Sequence, residues 1–473
     1  MAKSNLFLIG SIFFLVGVFA ASSSWDVFVS LATLGGGILF FILVKGKNFF
    51  SLTLLILVFS AFLGGFFYYN FYLNLRGENQ RIVFDRPFDF KGVVVDEPIF
   101  REKFQEVAID LEKPFFGKMK VLLPLSPKFR YGDLVGFRGV IVVPAEGYFY
   151  PVSFFPKADL LGEHLGFWLK EKLLDFKFKQ ISVFREYLSQ DQAALISGIT
   201  YGFRGDFTEE FKMKMNRSGT THIVALSGYN IAILVSVIFF AANRYFSRRK
   251  TFYLTIIVIS LFVMMVGGEA SVVRAAIMGF LVLLAREAGR MHQAFRVIVF
   301  SALLMVLFNP TILRYDLSFQ LSFLSLLGLV YLEPIFREFL RIKDDDQSFM
   351  SWKTGAVTTL SAQLMVVPFI LGNFGQFSVF SILANVLILE TLPLVMFFGF
   401  LVALGGLIFS GLGFIVAKFL GIFLAYQIGV MSFFSKFYIA LSGGIFSGPL
   451  AATYYAIILG IIYFKNATKH QQS

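Results

Sequence analysis

The feature that most constrains this chain is a series of apolar runs long enough to cross a bilayer. A spanning helix needs ~20 mostly apolar residues. Leu6 to Ala21, 27–44 and Phe49 to Tyr72 meet that demand early. The runs resume after residue 222, at 223–243, 252–266, 272–285, 297–308, 317–332, 355–371, 378–410, 412–434 and 447–464. The chain has 473 residues, of which 57% are hydrophobic. Its mean hydropathy of +0.74 lies outside the soluble range. The expectation is a polytopic α-helical membrane protein of about ten spans. Only Lys3 precedes the first run, and no small-residue cleavage site follows it, so it reads as a signal anchor. Residues 378–410 contain Glu390 and Pro393, and read either as one kinked span or as two broken pieces around a cavity.

Charge sets an expected topology. From residue 223 onward there are 17 basic and 9 acidic residues, and the basic excess sits in short loops. That is the positive-inside pattern, so the net charge of +12 is mainly a topology signal and weak evidence for nucleic acid. Lys3 and Lys47 go to the cytoplasm, and the region after Arg76 then faces outside. The chain has no cysteine, which excludes disulfides and thiolate metal sites. Its four histidines show no metal-ligand spacing, so no metal or cofactor is expected.

Residues 80–157 differ in kind. Val107, Ile109 and Leu111 alternate with Ala108, Asp110 and Glu112, and Met119, Val121 and Leu123 follow after a Pro/Gly turn. A further run extends from Leu134 to Val143. About five short strands between such turns predict an inserted OB-like β-barrel facing outside. OB folds stack single-stranded bases on exposed aromatics. Phe100, Tyr131, Tyr148, Phe149 and Tyr150 are candidates, with Phe104, Phe115 and Phe116 nearby. However, residues 76–163 carry 13 basic and 13 acidic side chains, so long-range attraction to phosphate is weak. The plain alternative puts these rings in the barrel core or in lipid headgroups. Residues 164–190 follow, with Leu165, Trp168, Leu169, Lys172, Leu173 and Phe176 near one helical face, as in an interfacial amphipathic helix. The alternative is a helix packed on the barrel. Asp206 or Thr208 is expected to cap a helix that begins with Glu209 and Glu210.

The stretch Asn216 to Ile231, NRSGTTHIVALSGYNI, marks the change from charged to apolar sequence. A helix carried from His222 into the bilayer buries an imidazole, a hydroxyl and a carboxamide, groups that usually face a bundle interior or a wet path. Ser218, His222, Ser227 and Asn230 are therefore candidate lining residues. Arg274, Gln320, Asn385 and Glu390, polar side chains in later spans, join them. Arg274 has a second reading, as a residue snorkelling to the interface. Gln320 and Asn385 also suit interhelical hydrogen bonding. Ser218 and His222 stand four apart, which invites a serine–histidine reading. No GxSxG elbow or nearby acid supports it, so a membrane hydrolase remains an alternative.

SGTTHIVALSGYNI resembles the signature that opens the competence domain of the ComEC family, inner-membrane DNA-uptake channels of naturally transformable bacteria. SVVRAAIMGFLVLLA (271–285), LFNPTILRYDLSFQLSFLSLLGLVYL (307–332) and LGNFGQFSVFSILANVL (371–387) follow the same order. The resemblance implies four parts: N-terminal transmembrane helices (1–75), an OB-like domain (76–163), an interfacial helix and linker helices (164–221) and a channel domain (222–473). It implies inward movement of single-stranded DNA through the cytoplasmic membrane, with membrane lipid, a DNA receptor and a separate motor or helicase as partners. A transporter or flippase of another substrate on the same fold is the alternative. There is no GxxxxGK[ST] motif, so energy is expected from a partner or from the membrane potential. Two departures stand out. Asn230 replaces a histidine usual in the family, which weakens any proton-switching pair there. No HxHxDH-type cluster occurs, although many members carry a metallo-β-lactamase-type domain, so degradation of the other strand is expected from a separate nuclease and this chain is not expected to be an enzyme.

Overall fold

A computed structural model describes residues 3–23, 52–78, 82–142, 151–287, 294–342, 352–437, 440–442 and 448–472, apart from 83, 102, 225, 227, 268, 269, 375 and 379. The expected span at 27–44 lies outside the described residues. The chain divides into two units. One comprises residues 1–172 with 280–320, and the other 173–279 with 321–473. The first unit thus takes in a segment that the sequence reading gives to the channel domain.

In the first unit, α1 (Lys3–Ser22) packs along α2 (Leu52–Glu78). The packing is backbone against backbone. A Cβ on Gly17 would fall 2.0 Å from the Phe62 carbonyl oxygen, and one on Gly65 would fall 2.1 Å from that of Phe14. Small residues of this kind are what let helices approach closely in lipid.

A closed barrel follows. Its strands are β1 (Pro87–Val94), β2 (Ile99–Phe100), β3 (Gln105–Leu111), β4 (Lys118–Leu123), β5 (Leu134–Val142), β6 (Val152–Phe154) and β7 (Lys157–Gly162). The ladder runs β1–β3–β4–β6–β5 and closes because β5 also pairs with β1. The β4–β6 pair is parallel. The alternation expected at 107–111 and 119–123 is the observed one, with Val107, Ile109, Met119 and Val121 fully buried. Phe90 stacks on Phe137 with centroids 5.2 Å apart, and Phe115 packs on Phe88, so part of the aromatic content fills the core. Buried Gln105 pins the β4–β5 connection by donating to the carbonyls of Pro124 and Pro127.

The second unit begins inside α3 (Trp168–Tyr187), followed by α4 (Gln190–Tyr201) and α5 (Glu209–Ser218). Helix α3 buries Leu174, Lys177, Gln180, Ile181, Val183 and Phe184 and leaves Trp168 and Phe176 exposed. These buried residues, Leu174 to Phe184, hold the helix in the core of this unit. A 3₁₀ turn (Thr221–Ile223) precedes α6 (Gly228–Asn243). The expected continuous helix from residue 222 is corrected here: Gly219 ends α5 in the left-handed region, residues 221–223 form a separate 3₁₀ turn, and the α-helix starts at Gly228.

Next come α7 (Arg248–Val266), α8 (Ala270–Glu287), α9 (Ala294–Phe308), α10 (Ile312–Tyr315), α11 (Leu317–Tyr331), α12 (Glu333–Phe339) and α13 (Trp352–Phe374). In the first unit, α9 is tied down by Arg296, which donates to Asn5 at 2.7 Å, and by Tyr68, which donates to the Leu307 carbonyl at 2.6 Å. The second unit ends with β8 (Gln376–Ser378), α14 (Ser381–Leu389), α15 (Leu392–Ile408), α16 (Ser410–Lys436), β9 (Ala440–Ser442) and α17 (Gly448–Gln472). Pro368 lies inside α13 and cannot donate to the carbonyl four residues earlier. That carbonyl, on Leu364, instead accepts from the Tyr454 hydroxyl of α17 at 2.8 Å. The ambiguous 378–410 stretch resolves into α14 and α15, bent by 50°. Among the described residues six helices are long and apolar enough to span a membrane, or seven if the bent pair is one span.

Enlarging the α1–α2 contact should separate the two helices. Gly65→Leu is expected to cost about 3 kcal/mol, the upper end for overpacking. A lower midpoint in thermal unfolding of the detergent-purified protein checks this.

Candidate functional site: a polar seam at the signature loop

The signature begins as a helix end. Thr208 caps α5 by accepting from the Phe211 N–H at 3.2 Å, as expected, while Asp206 pairs with Arg185 at 2.7 Å. At the other end Gly219, with φ of 70°, donates to the Asn216 and Met215 carbonyls. The Ser218 hydroxyl is buried, bonds to the Lys214 carbonyl at 2.8 Å and lies 2.8 Å from Thr220 Oγ1. Ser218 and His222 stand on opposite sides of the left-handed residue. The helical-turn spacing that suggested a serine–histidine pair is therefore broken.

Three segments outside the α-helices meet here. Residues 219–224, with the 3₁₀ turn, form the first. The second is β8, which pairs antiparallel with the third, β9, through Gln376↔Ser442, Phe377↔Leu441 and Ser378↔Ala440. The first touches the second at Gly219, where an added Cβ would lie 2.4 Å from Ser381 Cβ and 3.4 Å from Ser378 Cβ. Ser381 and Asn385 lie one turn apart on α14, which packs against α13 and α16. The hydroxyls of Ser378 and Ser381 and both amide atoms of Asn385 are buried with no partner among the described residues. On α16 the Gln427 Nε2 donates to Thr391 Oγ1 at 2.9 Å, while its Oε1 is likewise unmatched. A buried polar group without a partner costs about 1–3 kcal/mol. A run of them marks a place built for water or a polar ligand. The donor set is neutral and both gives and accepts hydrogen bonds.

His222, in the 3₁₀ turn, keeps accessible surface although protein crowds it. Burial holds its pKa below the ordinary value, opposed by a hydrogen bond to the backbone of Gly219. Asn230 is buried and donates to the Ile199 carbonyl at 2.8 Å, tying α6 to α4. Arg274 is also buried, its guanidinium 5.9 Å from the centre of the Phe323 ring. It precedes Ala275, which faces Gly228 at the start of α6. Gln320 donates to the Leu313 and Arg314 carbonyls, and Asp316 accepts from the Phe319 N–H, so this pair shapes the start of α11. Glu390 sits at the α14–α15 break. Ser227 lies outside the described residues.

On the barrel, Tyr148, Phe149 and Tyr150 lie outside the described residues as well. Phe100 is half-buried with the Lys128 ammonium 5.7 Å from its ring. Tyr131 has Lys170 at 4.7 Å, and its hydroxyl accepts from the Phe167 N–H, so its ring already serves as a strut. Exposed rings on the barrel include Phe116, which the sequence reading offered, and Phe154 and Phe155, which it did not single out. It also missed Ser378, Ser381 and Gln427. The four-residue spacing of Ser381 and Asn385 in an apolar run was the one available signal.

A multi-pass helical body with a small closed barrel defines the class, and the family follows from sequence comparison. A family model described as "Competence protein" matches residues 199–467, and the chain belongs to that family. The signature lies inside the matched residues, in keeping with the ComEC resemblance. ComE operon protein 3 of Bacillus subtilis (strain 168) is 29% identical over 221 residues. The match covers 46% of this chain and 27% of that protein, so the chain spans well under two thirds of its relative. No solved structure matches the chain.

Gly219→Ala is expected to combine left-handed strain of about 1–2 kcal/mol with a clash against Ser381. Thermal unfolding should register at least that loss, and Ser381→Gly in the same protein should recover the steric part. Acidification provides a second check. His222 binds its proton less readily folded than unfolded, so its contribution to stability is full above the unfolded pKa near 6.5 and declines as pH falls through that value toward the folded pKa. His222→Gln should therefore lose less stability than the parent protein on titration from neutral to mildly acidic pH.

Proposed function

We propose that this chain forms the membrane path by which single-stranded DNA enters the cytoplasm in natural transformation. The observation that supports this most strongly is the seam of unmatched buried groups on Ser378, Ser381 and Asn385, beside Gly219 of the family signature. A strand carries a phosphate on every nucleotide, and charge in hydrocarbon is costly. Its passage needs groups that replace water, and hydroxyls and carboxamides do this for bases, sugars and phosphates alike. In this reading Asn385 and Ser381 contact the strand directly. His222 stands in the 3₁₀ turn, and Asn230 holds the wall in place. Arg274 supplies a cation beside the start of α6.

The positive-inside pattern places the barrel outside the cytoplasmic membrane, where Phe154 and Phe155 offer stacking faces for incoming bases. The barrel's neutral charge makes it a guide and not a tight binder. The protein acts by conduction without making or breaking bonds. A receptor outside, a motor inside and a separate nuclease complete the pathway.

The test uses labelled external DNA and the natural absence of cysteine. Asn385→Leu keeps the volume and removes the amide. It should reach the membrane at parental levels yet lower internalised DNA by roughly tenfold, the effect of losing one or two hydrogen bonds at the barrier. Asn385→Cys should react with a small charged thiol reagent, and Asn230→Cys should not. Unchanged uptake in Asn385→Leu together with an inert Asn385→Cys would refute the proposal.

A further inference from the structure

The α14–α15 break holds chemistry that the strand path does not use. Glu390 lies between the two helices, and its Oε1 fills the space above Gly355 of α13, where an added Cβ would lie 2.6 Å away. No ion pair or hydrogen bond involves the Glu390 carboxylate among the described residues. The neighbouring Thr391 hydroxyl donates to the Ile388 carbonyl and accepts from Gln427. Gln427 is fully buried, and its amide oxygen has no partner. Pro393 has no N–H, so the Leu389 carbonyl lacks its helical donor. This carbonyl ends a half-helix, where the helix dipole is negative.

The charged groups around the break do not neutralise it. Helices α14 and α15 carry no other titratable side chain. On α13 the nearest is Lys353, which is exposed and makes no ion pair with Glu390. On α16 the nearest titratable group is Tyr426, whose hydroxyl donates to the Leu387 carbonyl at 3.4 Å, and the nearest charged ones are Lys418 and Lys436, each more than two helical turns from Gln427. Helix α4, packed against α15 and α16, offers Asp191 at its start, which bonds Thr208. On α5, packed against α16, Lys212 and Lys214 are paired with Glu209 and Glu210, and Arg217 lies in the last turn.

We propose that the break is a binding site for a monovalent cation, sodium or a proton, held by the Glu390 carboxylate with oxygens freed at the break. One carboxylate among neutral oxygens matches one positive charge, whereas divalent calcium usually gathers more carboxylates. Broken helices whose carbonyl ends face a carboxylate are a recurring arrangement for coupling ions. The bend gives the site a means to act, since occupancy changes the repulsion between Glu390 and the carbonyl end of α14. The proposal rests on the membrane-spanning reading of the bent pair and is independent of the cargo.

The test is carbodiimide labelling of the full chain in lipid nanodiscs, mapped by peptide mass spectrometry. Dicyclohexylcarbodiimide attacks protonated carboxyls in apolar surroundings. Glu390 should react faster than the exposed Glu209 and Glu210, which serve as internal references. If the ion is a proton, labelling should fall by about tenfold per pH unit above its midpoint, as a single titration requires. If it is sodium, sodium chloride should protect Glu390 at fixed pH where choline chloride does not. Gly355→Ala, which fills the cradle, should reduce the selectivity, and Glu390→Asp should retain part of it. The proposal is overturned if Glu390 reacts no faster than the references, or if neither pH nor sodium changes its labelling. Because the readout contains no DNA, its failure is separable from failure of the uptake reading.

Discussion

Backbone groups in an apolar body must find their hydrogen-bond partners within the protein, because lipid offers none. Most of this chain meets the demand by helix formation. The barrel meets it by closing, with β5 pairing on both sides. Several places where regular structure fails are repaired locally. Tyr454 covers the carbonyl that Pro368 exposes in α13, Gly219 closes the end of α5, and the β8–β9 ladder satisfies two segments that leave their helices.

Against such local repair, the unmatched side chains gain meaning. Asn385 could have been leucine at no cost to the helix, and its amide makes no bond among the described residues. Ser378 and Ser381 contribute to the same surface, next to the residue that the signature requires to be glycine. The seam and the α14–α15 break lie at the two ends of one nine-residue helix. A change in the bend at one end therefore moves the polar surface at the other. Under the two proposals above, this gives a physical route by which an ion on Glu390 would alter the surroundings of Asn385.

How much of this the sequence carried depends on the distance over which each decision is made. Spans follow from local apolarity, and Val107, Ile109 and Leu111 declare their strand by alternation alone. The α5 cap at Thr208 was legible for the same reason. The start of α6 was not, because Ser-Gly at 227–228 reads equally as helix interior or as helix start. Only the left-handed Gly219 and the turn at 221–223 decide it. The seam was half visible: Asn385 announces itself as a polar residue in an apolar run, but Ser378 matters only because Gly219, far away in sequence, packs on it. Tyr131 shows the reverse error, an aromatic that composition offers for stacking and that a lysine and a backbone amide had already claimed.

The pairing of β8 with β9 also bears on how the protein is made. Strand β8 emerges from the ribosome well before β9, with all of α14, α15 and α16 still to be synthesised between them. Through that interval its edge is open, and the insertion machinery must shield it or hold it in water. The β8–β9 ladder is therefore closed late in synthesis, with only α17 of this unit still to follow, so a chain arrested before Ala440 carries the signature yet lacks the partner of β8.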